Sequence, residues 1–124
     1  MFLAAVVQMT STSDPETNWA QARDLVERAA DYGAKFVATP ENTNYLGPPA
    51  EKVRTAESLD GPTCRRFAAL ARRLGIHLLL GSFNEASDRP THCDNTSVGA
   101  CVAIEQETGI SSRRSPGQVG TAPS

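Results

Sequence analysis

The chain opens on an unbroken apolar run, Phe2 to Gln8, closed by the polar cluster Thr10-Ser11-Thr12-Ser13. A short run without polar alternation suits a strand buried on both faces. The period then changes: Trp19, Ala22, Val26 and Ala29-Ala30 recur at three- and four-residue spacing, which predicts a helix with one apolar stripe. Asp14-Pro15-Glu16 starts this helix. Ser13 or Asp14 can accept the free N–H groups of its first turn, and Pro15 sits where a missing donor costs nothing. Gly33 ends it just after Tyr32. Lys35 to Thr39 is a second strand, and strand, helix, strand with short connections makes a parallel βαβ unit.

Further along, Asn42 to Ser58 is polar and reads as a loop, with Gly47-Pro48-Pro49 set against a helix. A second helix starts at Leu59-Asp60-Gly61-Pro62, carries the stripe Phe67, Leu70-Ala71 and Leu74, and stops at Gly75. Its arginines, Arg65, Arg66, Arg72 and Arg73, lie largely on the other side and read as a solvated face. Ile76 to Leu80 is a third strand, closed by Gly81-Ser82-Phe83-Asn84-Glu85. Ala86 to Asp94 is a polar turn, and Thr96 to Ile104 is a fourth strand, antiparallel to the third because the connection is short. His77, inside an apolar run, is expected as a packed core histidine, and Cys64 as helix packing. Gly109 to Ser124 has too few apolar residues to offset its ordering entropy. The expected organisation is therefore a domain over 1–108 and a disordered tail over 109–124.

Composition narrows the class. The chain has 124 residues, 40% hydrophobic and 21% charged, with a net charge of −2. That suits one soluble domain or part of one, and gives no electrostatic footprint for nucleic acid or an anionic membrane. No run reaches the roughly 18–20 apolar residues of a membrane span. The apolar start lacks the positive flank and cleavage site of a signal peptide. Three cysteines, Cys64, Cys93 and Cys101, show no close pairing, so reduced thiols in a cytoplasm are expected. His92-Cys93 with Cys101 lacks the spacing of a metal site, and no phosphate-cradling glycine motif is present.

The chemistry converges on Glu41, which the second strand delivers through Pro40. In open α/β sheets ligands bind outside the carboxyl ends of the strands. A carboxylate there is a general base or a structural ion-pair partner. Asn42 and Tyr45, in the loop that follows, are candidate substrate-binding residues, against the commoner use of asparagine to build loops. Glu85 faces either a pocket or a surface turn.

Several pieces occur in a set order. They are Ala5-Val6-Val7-Gln8-Met9, a helix ending Ala29-Ala30-Asp31-Tyr32-Gly33-Ala34-Lys35, and the strand into Pro40-Glu41-Asn42. A helix ending Ala71-Arg72-Arg73-Leu74-Gly75-Ile76, the strand into Gly81-Ser82-Phe83-Asn84-Glu85, and Asn95-Thr96-Ser97-Val98 follow. Over residues 2 to 98 this resembles the N-terminal part of the nitrilase superfamily, the carbon–nitrogen hydrolases. The resemblance implies an α/β fold of the α/β/β/α sandwich type, about its first half. It also implies hydrolysis of a small non-peptide amide or nitrile by a Glu–Lys–Cys triad, with Glu41 as the glutamate and no cofactor. Such chemistry needs a thiol activated by a base and a positive group aimed at the oxyanion. Association through the sandwich surfaces, hence a homo-oligomer, is a further implication.

The departures from the family pattern matter equally. No lysine follows Lys52, and the segment Glu107-Thr108-Gly109-Ile110-Ser111-Ser112-Arg113-Arg114 offers Arg114 where the family has lysine, although guanidinium and ammonium are not interchangeable. No cysteine stands in a strand-to-helix elbow. A truncated product, inactive alone, is the expectation. The alternative is a non-catalytic α/β interaction domain that docks on a full-length relative.

Overall fold

The structure, a computed structural model, describes residues 1–87, 92–101 and 109–121. Five strands form one sheet in the order β1-β2-β3-β4-β5. They are β1 (Leu3–Val6), β2 (Ala34–Ala38), β3 (His77–Ala86), β4 (His92–Cys101) and β5 (Gly109–Thr121), with helices α1 (Pro15–Asp31), α2 (Pro49–Arg54) and α3 (Pro62–Leu74). The βαβ unit closes as expected: β1 runs parallel to β2, and β2 to β3. From β3 onward the pairing is antiparallel.

Local chemistry explains the helix boundaries. Asp14 caps α1, its side chain accepting the Glu16 N–H, with Pro15 in the first turn. Gly61 precedes Pro62 at the start of α3, and Gly75 ends it in the left-handed region at φ 65°. The N–H and hydroxyl of Thr63 both donate to the Glu57 carboxylate. Glu57 therefore does the capping that Gly61 lacks a side chain for.

The core lies between the sheet and the pair α1/α3. Ala22, Val26 and Ala29 of α1 meet Phe67, Leu70 and Ala71 of α3 over Val37, Leu78, Leu80 and Val98. Trp19 packs edge-on against Phe67, ring centroids 4.9 Å apart, and Arg66 lies over the indole. Truncating a buried aromatic such as Phe67 costs about 3–5 kcal/mol.

Several expectations are corrected. The first strand is not buried on both faces: Leu3 and Val6 are exposed, Val6 at 84%. β1 is an edge strand, and α1 and α3 cover only one face of the sheet. His77 is likewise exposed, because β3 alternates, with Leu78 and Leu80 inward and His77 and Leu79 outward. The expected loop at 42–58 contains α2, since Pro49 breaks what precedes it but is well placed in a first helical turn. The third strand continues through Gly81 to Ala86 because β4 supplies its partner.

Residues Gly109–Thr121, expected as disordered tail, pair with β4. Backbone pairing along an open sheet edge needs little apolar side chain. The register shifts between Asp94, paired with Val119, and Thr96, paired with Arg114; the intervening stretch includes Pro116, and such irregularities are where a missing N–H is tolerated. The turn expected over Ala86–Asp94 is shorter: Ala86 belongs to β3 and His92–Asp94 to β4, which starts before the expected Thr96 because its pairing with β3 runs on to Cys93. Residues 88–91, the end of the expected fourth strand and the last three residues of the tail lie outside the described residues.

Candidate active site

Glu41 follows β2 at the carboxyl end of the parallel strands, on a turn held from several sides. The Thr39 N–H donates to Leu79 O at 2.9 Å, which extends the β2–β3 ladder to the brink of the turn. Thr43 Oγ1 donates to Pro40 O at 2.6 Å and lies 2.8 Å from Thr39 Oγ1. The Asn42 N–H donates to Ser82 Oγ on β3 at 2.8 Å. Asn42 itself adopts φ 55°. This left-handed conformation costs a non-glycine residue about 1–2 kcal/mol, and asparagine tolerates it better than most. β3 presses close: a Cβ on Gly81 would stand 2.6 Å from Pro40 C and from Thr39 O. Only glycine fits there.

The side chain of Glu41 is exposed, while the chain around it is fixed. A carboxylate so placed is free to take a proton from a group brought to it. The structure does not gather the three candidates around one opening. Asn42 is half-buried and contributes its N–H to the turn. Tyr45 is buried, at 1% exposure, and its hydroxyl donates to Pro48 O at 2.8 Å. Burial, followed by the nearby Glu51, raises the Tyr45 phenol above its usual range. Tyr45 thus braces the loop into α2, its hydroxyl 2.8 Å from where a Gly47 Cβ would stand.

Beneath the loops lies a polar clamp that the sequence pattern did not single out. Asn18 is fully buried, and every hydrogen-bonding position of its amide is used. Nδ2 donates to Thr12 O and Asn44 O, and Oδ1 accepts from the Thr12 N–H and Thr12 Oγ1. The loop after β1 is thereby tied to the loop after β2, and Leu46 N to Thr12 O adds a backbone link. A signal existed: Asn18 occupies the buried stripe of Ala22, Val26 and Ala29, where a polar residue is costly unless satisfied.

Glu85 is buried on β3 rather than on a surface turn. The Glu57 segment pairs beside it, with Glu57 N to Asn84 O and Ala86 N to Glu57 O. Two buried amide ends, Asn44 Oδ1 and Asn84 Nδ2, have no hydrogen-bond partner among the described residues. Each such group costs about 1–3 kcal/mol.

Cys64 is buried in the same region, and burial first, then Glu57, Glu85 and Asp60, push its thiol up to about 12. A thiol so placed stays protonated at neutral pH and is no nucleophile. The side chains of Cys93 and Cys101 lie outside the described residues, as does that of Arg114, which stands opposite Thr96. Among the described residues no group of His, Cys, Asp and Glu is arranged to hold a metal, and no helix is long and apolar enough to cross a membrane.

The family model for carbon–nitrogen hydrolases matches residues 3–115. The match reaches past Val98 into β5, beyond the segment in which the sequence motifs are recognisable. The human protein deaminated glutathione amidase is 34% identical over 94% of this chain, which spans 38% of that protein. The NitFhit protein of C. elegans superimposes with a TM-score of 0.77 at 27% identity, covering 91% of this chain and 27% of that one. A nitrilase-superfamily amidase from Nesterenkonia AN1 gives 0.70 at 25% identity, covering 90% and 42%. In another structure of that amidase, acrylamide has added to the active-site cysteine. The chain spans about two-fifths of the length of the curated amidase it matches.

Proposed function

We propose, on the premise that this chain belongs to the carbon–nitrogen hydrolase family, that it carries the proton-accepting part of an enzyme acting on small non-peptide amides. Glu41 is the base. It would take the proton of an attacking thiol, return a proton to the leaving nitrogen, and later activate water against the thioester. The single observation that carries this reading is the fixed turn that presents an exposed carboxylate at the carboxyl ends of three parallel strands. The amidase names of the relatives support an amide over a nitrile, and the human relative's name suggests a deaminated glutathione-like amide. Asn42 and Tyr45 shape the turn and loop around the substrate.

The nucleophile and the oxyanion-stabilising cation are not found among the residues that can be assigned. Cys64 is buried and protonated, and no lysine follows Lys52. Residues 1–124 alone therefore release no ammonia from a panel of small amides that includes deaminated glutathione. Turnover abolished by Glu41→Gln would overturn the inactivity and keep the base. Turnover that survives Glu41→Gln would remove the base assignment itself.

A second reading, a non-catalytic domain that docks on a full-length relative, draws on one observation. Val6, Leu79 and the half-buried Phe36 and Ala38 share the sheet face opposite the helices. A contiguous exposed apolar face of this kind marks an interaction surface. Co-elution with a full-length relative on size exclusion is the expected result under that reading, and separate elution counts against it.

A further inference from the structure

We propose that Ser82 is a positioning residue, whose hydroxyl accepts the Asn42 N–H and so fixes the direction in which Glu41 projects. The inference rests on the reading of Glu41 as the base and deepens it. The Glu41 side chain is exposed, so its aim is set by the backbone on either side. On the β2 side the ladder reaches Thr39, and the Pro40 ring limits φ. On the far side Asn42 sits at φ 55°, a conformation that reverts unless something holds it. Ser82 is the holder: it is buried, on the strand adjacent to β2, with Oγ 2.8 Å from the Asn42 nitrogen.

Gly81 makes the contact reachable. The absence of a Cβ lets β3 lie against the Thr39 and Pro40 carbonyls, which brings the next residue's hydroxyl level with the turn. The Thr43 hydroxyl holds Pro40 O from the other end. The carboxylate thus stands in water on a mount fixed at both ends, and holding a reacting group in geometry is where much of a catalytic advantage originates.

The test uses the full 124-residue chain, labelled with nitrogen-15, and reads backbone residual dipolar couplings and amide exchange. In Ser82→Ala the Glu41 and Asn42 couplings shrink toward averaged values, and the Asn42 amide exchanges up to about tenfold faster, the factor expected for one lost hydrogen bond. Val37 and Leu78 keep their couplings. Ser82→Cys, which keeps the volume and offers only a weak acceptor, gives the same local loss and decides the matter if the alanine variant folds poorly. Unchanged couplings at Glu41 and Asn42 in both variants would overturn the proposal. So would equal changes across β2 and β3, which would mark a general packing role. None of these readings needs turnover, so failure here leaves the assignment of Glu41 as base standing, and loss of that assignment leaves the tether standing.

Discussion

Gly81→Ala adds a single methyl group where the structure has no room for one. The new carbon would stand 2.6 Å from Pro40 C, 2.6 Å from Thr39 O and 2.7 Å from Pro40 O. Ordinary carbon contacts lie at about 3.5–4.0 Å, so each is short by roughly 1 Å. All three neighbours are backbone atoms, which cannot swing aside as a side chain end would. β3 and the Glu41 turn must therefore part. Parting by that amount takes the 2.8 Å bond from Asn42 to Ser82 and the 2.9 Å bond from Thr39 to Leu79 past useful length. Overpacking costs about 1–3 kcal/mol, and two weakened hydrogen bonds add about 1 kcal/mol each. The expected loss is about 3–5 kcal/mol. Urea unfolding followed by circular dichroism measures it: with a slope of about 1–3 kcal/mol/M, the midpoint falls by about 1–5 M at unchanged slope. A midpoint within about 0.3 M of the parent chain would refute the close approach, and with it the account of how the turn is held.

Other outcomes follow from the same contacts. Asn18→Asp removes the donors that Thr12 O and Asn44 O use and sets a carboxylate against them, so stability falls by about 3–5 kcal/mol; a loss under about 1 kcal/mol in thermal or urea unfolding would mean the clamp is not formed. Cys64, in a Cys93→Ser/Cys101→Ser background, reacts with a thiol reagent at pH 8 roughly a thousandfold more slowly than free cysteine, until denaturant exposes it. A free-cysteine rate in the native chain would contradict its burial and its thiol pKa of about 12. Asp14 is held below its usual 3.8, chiefly by the Thr17 hydroxyl and then by the Glu16 N–H. Its contribution to stability is present above that value and is lost as pH falls through the lower folded value. The difference in melting temperature between the parent chain and Asp14→Ala therefore narrows from pH 5 toward pH 2; a constant difference across that range would show that the cap carries no charge-dependent part.

Much of the fold was legible in the order of periods. The stripes of α1 and α3, the proline and glycine stops, and the short connections gave the βαβ unit and the turn bearing Glu41 from pattern alone. What escaped was whatever depends on the partner of a face or an edge. An apolar run does not say whether one or both faces of its strand are covered, and the core does not reach Leu3, Val6 or His77. The polar stretch Gly109–Thr121 pairs through its backbone, which composition cannot register.

The strand end that carries Glu41 is legible in the sequence, and the contacts that hold its turn are not. Glu41 stood out by its position, whereas Ser82, Gly81 and Asn18 act through contacts between segments far apart in the chain. Tyr45, chosen for its place in the loop, spends its hydroxyl on Pro48.

The most direct measurement puts the base to work. Residues 3–98 of this chain replace the matching segment of a full-length deaminated glutathione amidase, and ammonia release is followed with and without Glu41→Gln. The account predicts turnover with Glu41 and a fall of about 10²–10⁴ without it. Equal turnover in both chimeras would contradict it.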